Sequence, residues 1–148
     1  MGPAETTARL IGTYRLLGME HFTADGEVGL PFGENPTGFI MYTPEGYMSA
    51  ILMQGGRPNF AEGDILAGRD DERIAAFASA SAYAGRYEVV GDQIIHHLQA
   101  TTYPNWSGTD QPRHFELTET HLTLFPPEML MQGKIRRGRV RFERIRQS

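Results

Sequence analysis

Two adjacent histidines, His96 and His97, stand in the apolar run "QIIHHLQA", and Tyr103, Trp106 and Arg113 follow soon after. Imidazole titrates near neutral pH, so such a group can hold a metal, move protons or line a ligand pocket. Backbone form separates these chemistries. In a strand, successive side chains point to opposite faces. Ile94, His96, Leu98 and Ala100 then share one face, while Ile95, His97, Gln99 and Thr101 share the other. The first face is the more apolar, which turns His96 inward and His97 outward. The pair cannot grip one ion together. No His-x-His motif or carboxylate stands at ligand spacing and the chain lacks cysteine, so neither a metal nor any other cofactor is expected.

The same parity extends the candidate set. In "RHFELTETHLTL", Arg113, Phe115 and Leu117 face inward against His114 and Glu116. On the first strand, an inward Tyr14 brings Leu16, Gly18 and Glu20 with it. Arg15, Leu17 and Met19 then face outward, which leaves an awkwardly apolar exterior. The candidate catalytic residues are His96, as proton donor or acceptor, with Glu20 and Arg113. Each has a structural alternative. His96 is equally read as a buried neutral imidazole bonded to a neighbour. Glu20 either sits at a rim in water or, if buried, pairs with Arg113 or His96.

Candidate ligand-binding residues are Tyr42, Met48, Tyr83, Tyr87, Leu98, Tyr103, Trp106, Gln111 and Phe115. Aromatics fill cores as well as pockets, and a buried phenol needs a hydrogen-bond partner in either role. Met41, Met48 and Met53 add adaptable apolar surface suited to a greasy ligand. Trp106, within "YPNWSGTDQPR", is placed either as a lid or as cover for a neighbouring strand. Arg144 is read as structural, packing on Tyr14.

The elements that must position these residues are mostly short strands. Turn signals recur as "ADGE", "PFGENPTG", "TPEG", "QGGRPN", "VGDQ", "SGTDQP" and "PPEM", with runs rich in Tyr, Ile, Val, Phe and Thr between them. Hairpins are expected at Thr43-Pro44-Glu45-Gly46 and at Gly91-Asp92. One Ala-rich stretch with an acidic start reads as a short helix over about residues 71–81. "TARLIGTYRLL" is readable as helix or strand. One helix cannot cover so many strands, so the sheet must close on itself or pack on a second sheet.

Bulk properties exclude several classes. The 148 residues suit one domain, and 40% hydrophobic with 22% charged residues is a globular composition. Residues 1–9 are expected to be a disordered or non-native extension, with the barrel domain over 10–148. A net charge of −4 with only 14 Lys and Arg argues against nucleic acid. No apolar run approaches the roughly 20 residues that cross a bilayer. The first residues lack a signal-peptide pattern, so a cytoplasmic protein without a membrane partner is expected. Gly-x-Ser-x-Gly and Walker motifs are absent.

The words "LIGTYRLLG", "PFGENPTGFIMYTPEGYMSA", "RPNFAEGD", "SAYAGRYEV", "IIHHLQATTYPNWSGTDQPRHFEL" and "HLTLFPP" resemble, in order, the bacterial and fungal lipocalin-like domain family. Tyr14 stands where the Gly-x-Trp opening of calycin barrels has Trp. The resemblance implies an all-β fold, a closed antiparallel β-barrel of about eight or more strands with one short helix, holding a small hydrophobic or aromatic ligand. It does not imply a single reaction, because related barrels carry molecules or act as cofactor-free cyclases. Two functions therefore stand side by side. One is a binding barrel that catalyses cyclisation or isomerisation by proton transfer; the other is a non-catalytic carrier or sensor. A homodimer is compatible with either.

Overall fold

A computed structural model describes residues 2–146 and shows ten strands and two helices. The N-terminal stretch is ordered: Pro3–Leu10 forms α1 instead of the expected disordered extension (residue 1 lies outside the described residues). Pro3 opens this helix, where its missing N–H is harmless. The ambiguous "TARLIGTYRLL" is both elements in succession, since Gly12, at φ 147°, starts β1 (Gly12–Phe22) directly after the helix.

The remaining strands follow in order. They are β2 (Val28–Gly29), β3 (Thr37–Tyr42), β4 (Tyr47–Met53), β5 (Ala80–Val90), β6 (Gln93–Thr101), β7 (Asp110–Leu117), β8 (His121–Phe125), β9 (Met129–Met131) and β10 (Lys134–Arg144). Helix α2 (Asp70–Ala78) joins β4 to β5, and a single 3-10 turn (Pro104–Trp106) joins β6 to β7. The short helix of the sequence reading is thus α2, ending three residues early because Ala80 already belongs to β5. Both expected hairpins form. Gly46 at φ 92° and Gly91 at φ 60° supply the left-handed backbone their turns need.

Neighbouring strands pair antiparallel, and β1 returns to pair with β10. Eight strands thereby close a barrel, with β2 and β9 as short additions at its edge. The barrel's floor is packed solid. Tyr14 is fully buried, and its hydroxyl donates to the Leu10 carbonyl at 2.7 Å. The Arg144 guanidinium lies over the Tyr14 ring at 4.8 Å and donates to the Ile11 carbonyl, the Glu119 carbonyl and the Tyr14 hydroxyl. Burial raises the Tyr14 phenol to about 12. Above it Ile40, Tyr42, Met48, Tyr87, Ile94, Leu98, Leu122, Leu124 and Phe142 complete the core.

Two bulges alter the parity read from sequence. In β1, Leu16 faces Phe142 but Gly18 faces Arg141, so Leu17 is an extra residue. Every side chain beyond it changes face. Met19 and His21 therefore point inward, and Glu20 points outward. In β6 the pairing slips between Leu98 and Ala100, and Ala100 is exposed instead of internal.

Candidate functional site

At the end of the barrel away from Tyr14, the strands enclose a cavity of about 120 Å³. Its apolar wall includes Met19, Phe32, Leu52, Val140, Pro126 and Met129. An apolar hole of about 150 Å³ holds a benzene ring, so this space is on the scale of one aromatic ring. The polar side chains reaching it are His21 from β1, Ser81 and Tyr83 from β5, Trp106, Arg113 from β7 and Arg136 from β10. None of the lining residues carries a carboxylate.

Arg113 is the unusual member. It is only 5% exposed, and its Nε is buried without a hydrogen-bond partner. The guanidinium carbon lies 5.9 Å from the Tyr83 ring centre, a cation–π contact. A cation this desolvated normally has an anion beside it. Local sequence explains its position. Strand β8 ends opposite His114, where Phe125 gives way to Pro126 and Pro127. Pro112 and Arg113 lie beyond that last pairing, where the wall between β7 and β10 has no strand ladder. An outer groove of about 530 Å³ runs along this gap. It shares Arg113, Pro126, Pro127 and Gly138 with the cavity.

His21 shares the cavity with Arg113 and is 6% exposed. Its Nε2 also has no partner. Burial, reinforced by the Arg136 charge, pushes its pKa below the usual imidazole value and keeps it neutral. Arg136 donates through Nε to the Met131 carbonyl at 3.2 Å. Parity without the Leu17 bulge hides His21 completely. The signal that could have found it was the apolar outer face that such parity forces on Leu17 and Met19.

His96 faces inward and is fully buried, yet it does not reach the cavity. It lies among the core aromatics, and its Nε2 shares a 2.7 Å hydrogen bond with the Tyr42 hydroxyl. Burial lowers the His96 pKa well below the usual value, with Arg113 and His97 adding to the effect. Burial pushes the Tyr42 phenol up, so both members stay neutral. His96 Nδ1 has no partner. His97 faces outward, bonded through Nδ1 to Asp110 at 2.7 Å and through Nε2 to Glu88 at 2.9 Å. Those two carboxylates raise its pKa, Asp110 most.

The sequence-derived set therefore separates into groups. Tyr83, Trp106 and Arg113 meet at the cavity. Trp106 lines the cavity and stacks edge-on against Tyr83 at 5.9 Å and against the exposed Tyr103 at 5.6 Å. Tyr42, Met48, Tyr87 and Leu98 belong to the core below, and the Tyr87 hydroxyl donates to the Thr43 carbonyl. Phe115 packs on that core, and Gln111 donates to the Thr109 hydroxyl; neither lines the cavity. Glu20 pairs with neither Arg113 nor His96. Its Oε1 accepts from Arg139 at 2.8 Å and from Arg141 at 3.0 Å on the outer wall, a consequence of the β1 bulge. Among the described residues no three His, Asp or Glu side chains converge to hold a metal ion, and no helix is long and apolar enough to cross a membrane.

Over 74 residues the chain is 35% identical to the 4'-hydroxy-3'-methoxypropiophenone carrier protein ppsC of Aspergillus oryzae, covering 45% of this chain and 67% of that protein. A lipocalin-like protein from Bacteroides uniformis superposes with a TM-score of 0.48 at 17% identity, over 93% of this chain and 99% of that one. A variant of the fluorescent protein UnaG gives 0.37 at 14% identity, over 92% and 96% of the two chains. The lipocalin-like domain model matches residues 11–145, and the chain belongs to that family.

Proposed function

We propose that the protein binds and carries a small aromatic molecule bearing an acceptor oxygen. The observation that carries this reading is Arg113, a buried guanidinium with an unpartnered Nε in a cavity free of carboxylates. An oxygen placed there would restore the hydrogen bond that folding removed, and bonds to a charged donor are worth about 1.5–3 kcal/mol. Met19, Phe32 and Leu52 would hold the ring, with Trp106 over it. The similarity to a propiophenone carrier supports the same ligand class, an aryl ketone.

Trp106 is the sole tryptophan, so its fluorescence reports the cavity directly. Titration with 4'-hydroxy-3'-methoxypropiophenone should change that emission saturably, and Arg113→Met should weaken binding about tenfold or more. An unchanged emission with no binding heat would refute the reading.

A catalytic reading draws on His21, which lines the cavity, has an Nε2 without a hydrogen-bond partner and could move a proton on a bound ligand. His96 is sealed one layer below and would act only by holding Tyr42 and the wall in place. Ligand recovered unchanged after prolonged incubation would leave carriage alone. Conversion lost in His21→Ala would establish the cyclase or isomerase.

A further inference from the structure

The charge around the cavity goes beyond a single acceptor. Two guanidiniums reach it, Arg113 from β7 and Arg136 from β10. The other titratable side chains facing the space are His21 from β1 and Tyr83 from β5. The 3-10 turn contributes only Trp106, the segment after β8 only Pro126, Pro127, Met129 and Met131, and β4 only Leu52. No acidic side chain lines the cavity itself; Glu128, in the segment after β8, lines the outer groove that Arg113 also reaches. On the outer face of β10, by contrast, Arg139 and Arg141 share Glu20. The positive charge inside the cavity is therefore left for the ligand.

Resting on the aromatic-ligand reading above, we propose that the cavity takes its ligand as an anion, a single ring bearing a phenolate or carboxylate oxygen counter-charged by Arg113 and Arg136. For a phenol, binding breaks the O–H bond, leaves the electron pair on oxygen and releases the proton to solvent. Low-dielectric surroundings strengthen the attraction between this oxygen and the guanidiniums. His21, neutral beside Arg136, can accept or donate one hydrogen bond without cancelling that charge.

The test uses the intact protein and three single-ring probes of matched shape: 4-nitrophenol, 4-nitrobenzoate and the uncharged 4-nitroanisole. Binding is followed by Trp106 quenching, and the ionisation of nitrophenol by its visible phenolate band. The proposal expects at least one anion to bind about tenfold or more tighter than nitroanisole. It also expects Arg113→Met and Arg136→Met each to remove most of that preference while Arg113→Lys keeps part of it. If phenolate is the form selected, its band appears on binding about one pH unit below the free dye's own pKa. Tighter nitrobenzoate binding without that band assigns the carboxylate form. Equal binding of nitroanisole and both anions overturns the anion proposal but leaves the aromatic-carrier reading standing. Failure of all three probes to bind overturns both.

Discussion

The barrel holds an arginine over a tyrosine at each end, and the two pairs differ in one respect. At the floor Arg144 lies 4.8 Å from the Tyr14 ring, and its donors are taken by the Ile11 and Glu119 carbonyls and the Tyr14 hydroxyl. At the mouth Arg113 lies 5.9 Å from the Tyr83 ring, and its buried Nε has no partner. The stacking is similar, but the hydrogen bonding is not. A satisfied cation ties the terminal strand, the first strand and α1 into one closed end. An unsatisfied one is a standing desolvation penalty that a ligand can relieve. The comparison assigns stability to the floor and binding to the mouth.

The most severe disturbance should come from the floor. Arg144→Met removes several charge-assisted hydrogen bonds, and we expect unfolding stability to fall by about 3 kcal/mol, measured by urea denaturation. Ligand affinity in the fraction that remains folded should not change. Arg113→Met should do the reverse. It should cost about tenfold in affinity by fluorescence titration while leaving stability unchanged or slightly higher, since an unpaired buried charge is removed. Equal stability losses from the two variants would abolish the distinction between the ends.

Smaller effects sharpen the boundary between core and cavity. Tyr42→Phe leaves His96 Nε2 without its partner, and stability should drop by about 1–2 kcal/mol with affinity unaltered. A large affinity loss instead would bring His96 back into the site. The two adjacent histidines also predict opposite pH dependences. His96 has a lowered pKa, so its contribution is full above the unfolded imidazole value and is lost as pH falls below it, where the unfolded state takes up the proton. His97 has a raised pKa, so its contribution is full below the unfolded value and is lost as pH rises through the folded one. His97→Ala should therefore be more destabilising at pH 5 than at pH 8. The difference should be about 0.5 kcal/mol, because solvent screens this half-exposed group.

Much of the barrel was legible because strand parity and turn chemistry are local. The hairpin turns at Gly46 and Gly91 and the inward His96 with outward His97 follow from spacing that neighbouring residues enforce. The candidate site was legible only in part. Arg113 was read as inward and is so, but whether an inward residue meets cavity or core depends on what arrives from other strands. His96 is inward and yet sealed, since Tyr42 from β3 meets it there. Glu20 and His21 exchanged faces because one extra residue, Leu17, interrupts β1. A bulge is set by pairing with a strand more than a hundred positions away, so parity read along β1 alone gives no position for it. Helix α1 was left open between helix and strand for a similar reason: Leu10, its one buried residue, is anchored by Tyr14 from the barrel and not by periodicity within the helix.

The most direct test follows both arginines at once, by recording the arginine Nε–H signals in a proton–nitrogen correlation spectrum during titration with 4'-hydroxy-3'-methoxypropiophenone. The account predicts that the Arg113 signal shifts as its Nε gains a partner while the Arg144 signal stays fixed. A shift at Arg144, or ligand binding with the Arg113 signal unmoved, would contradict it.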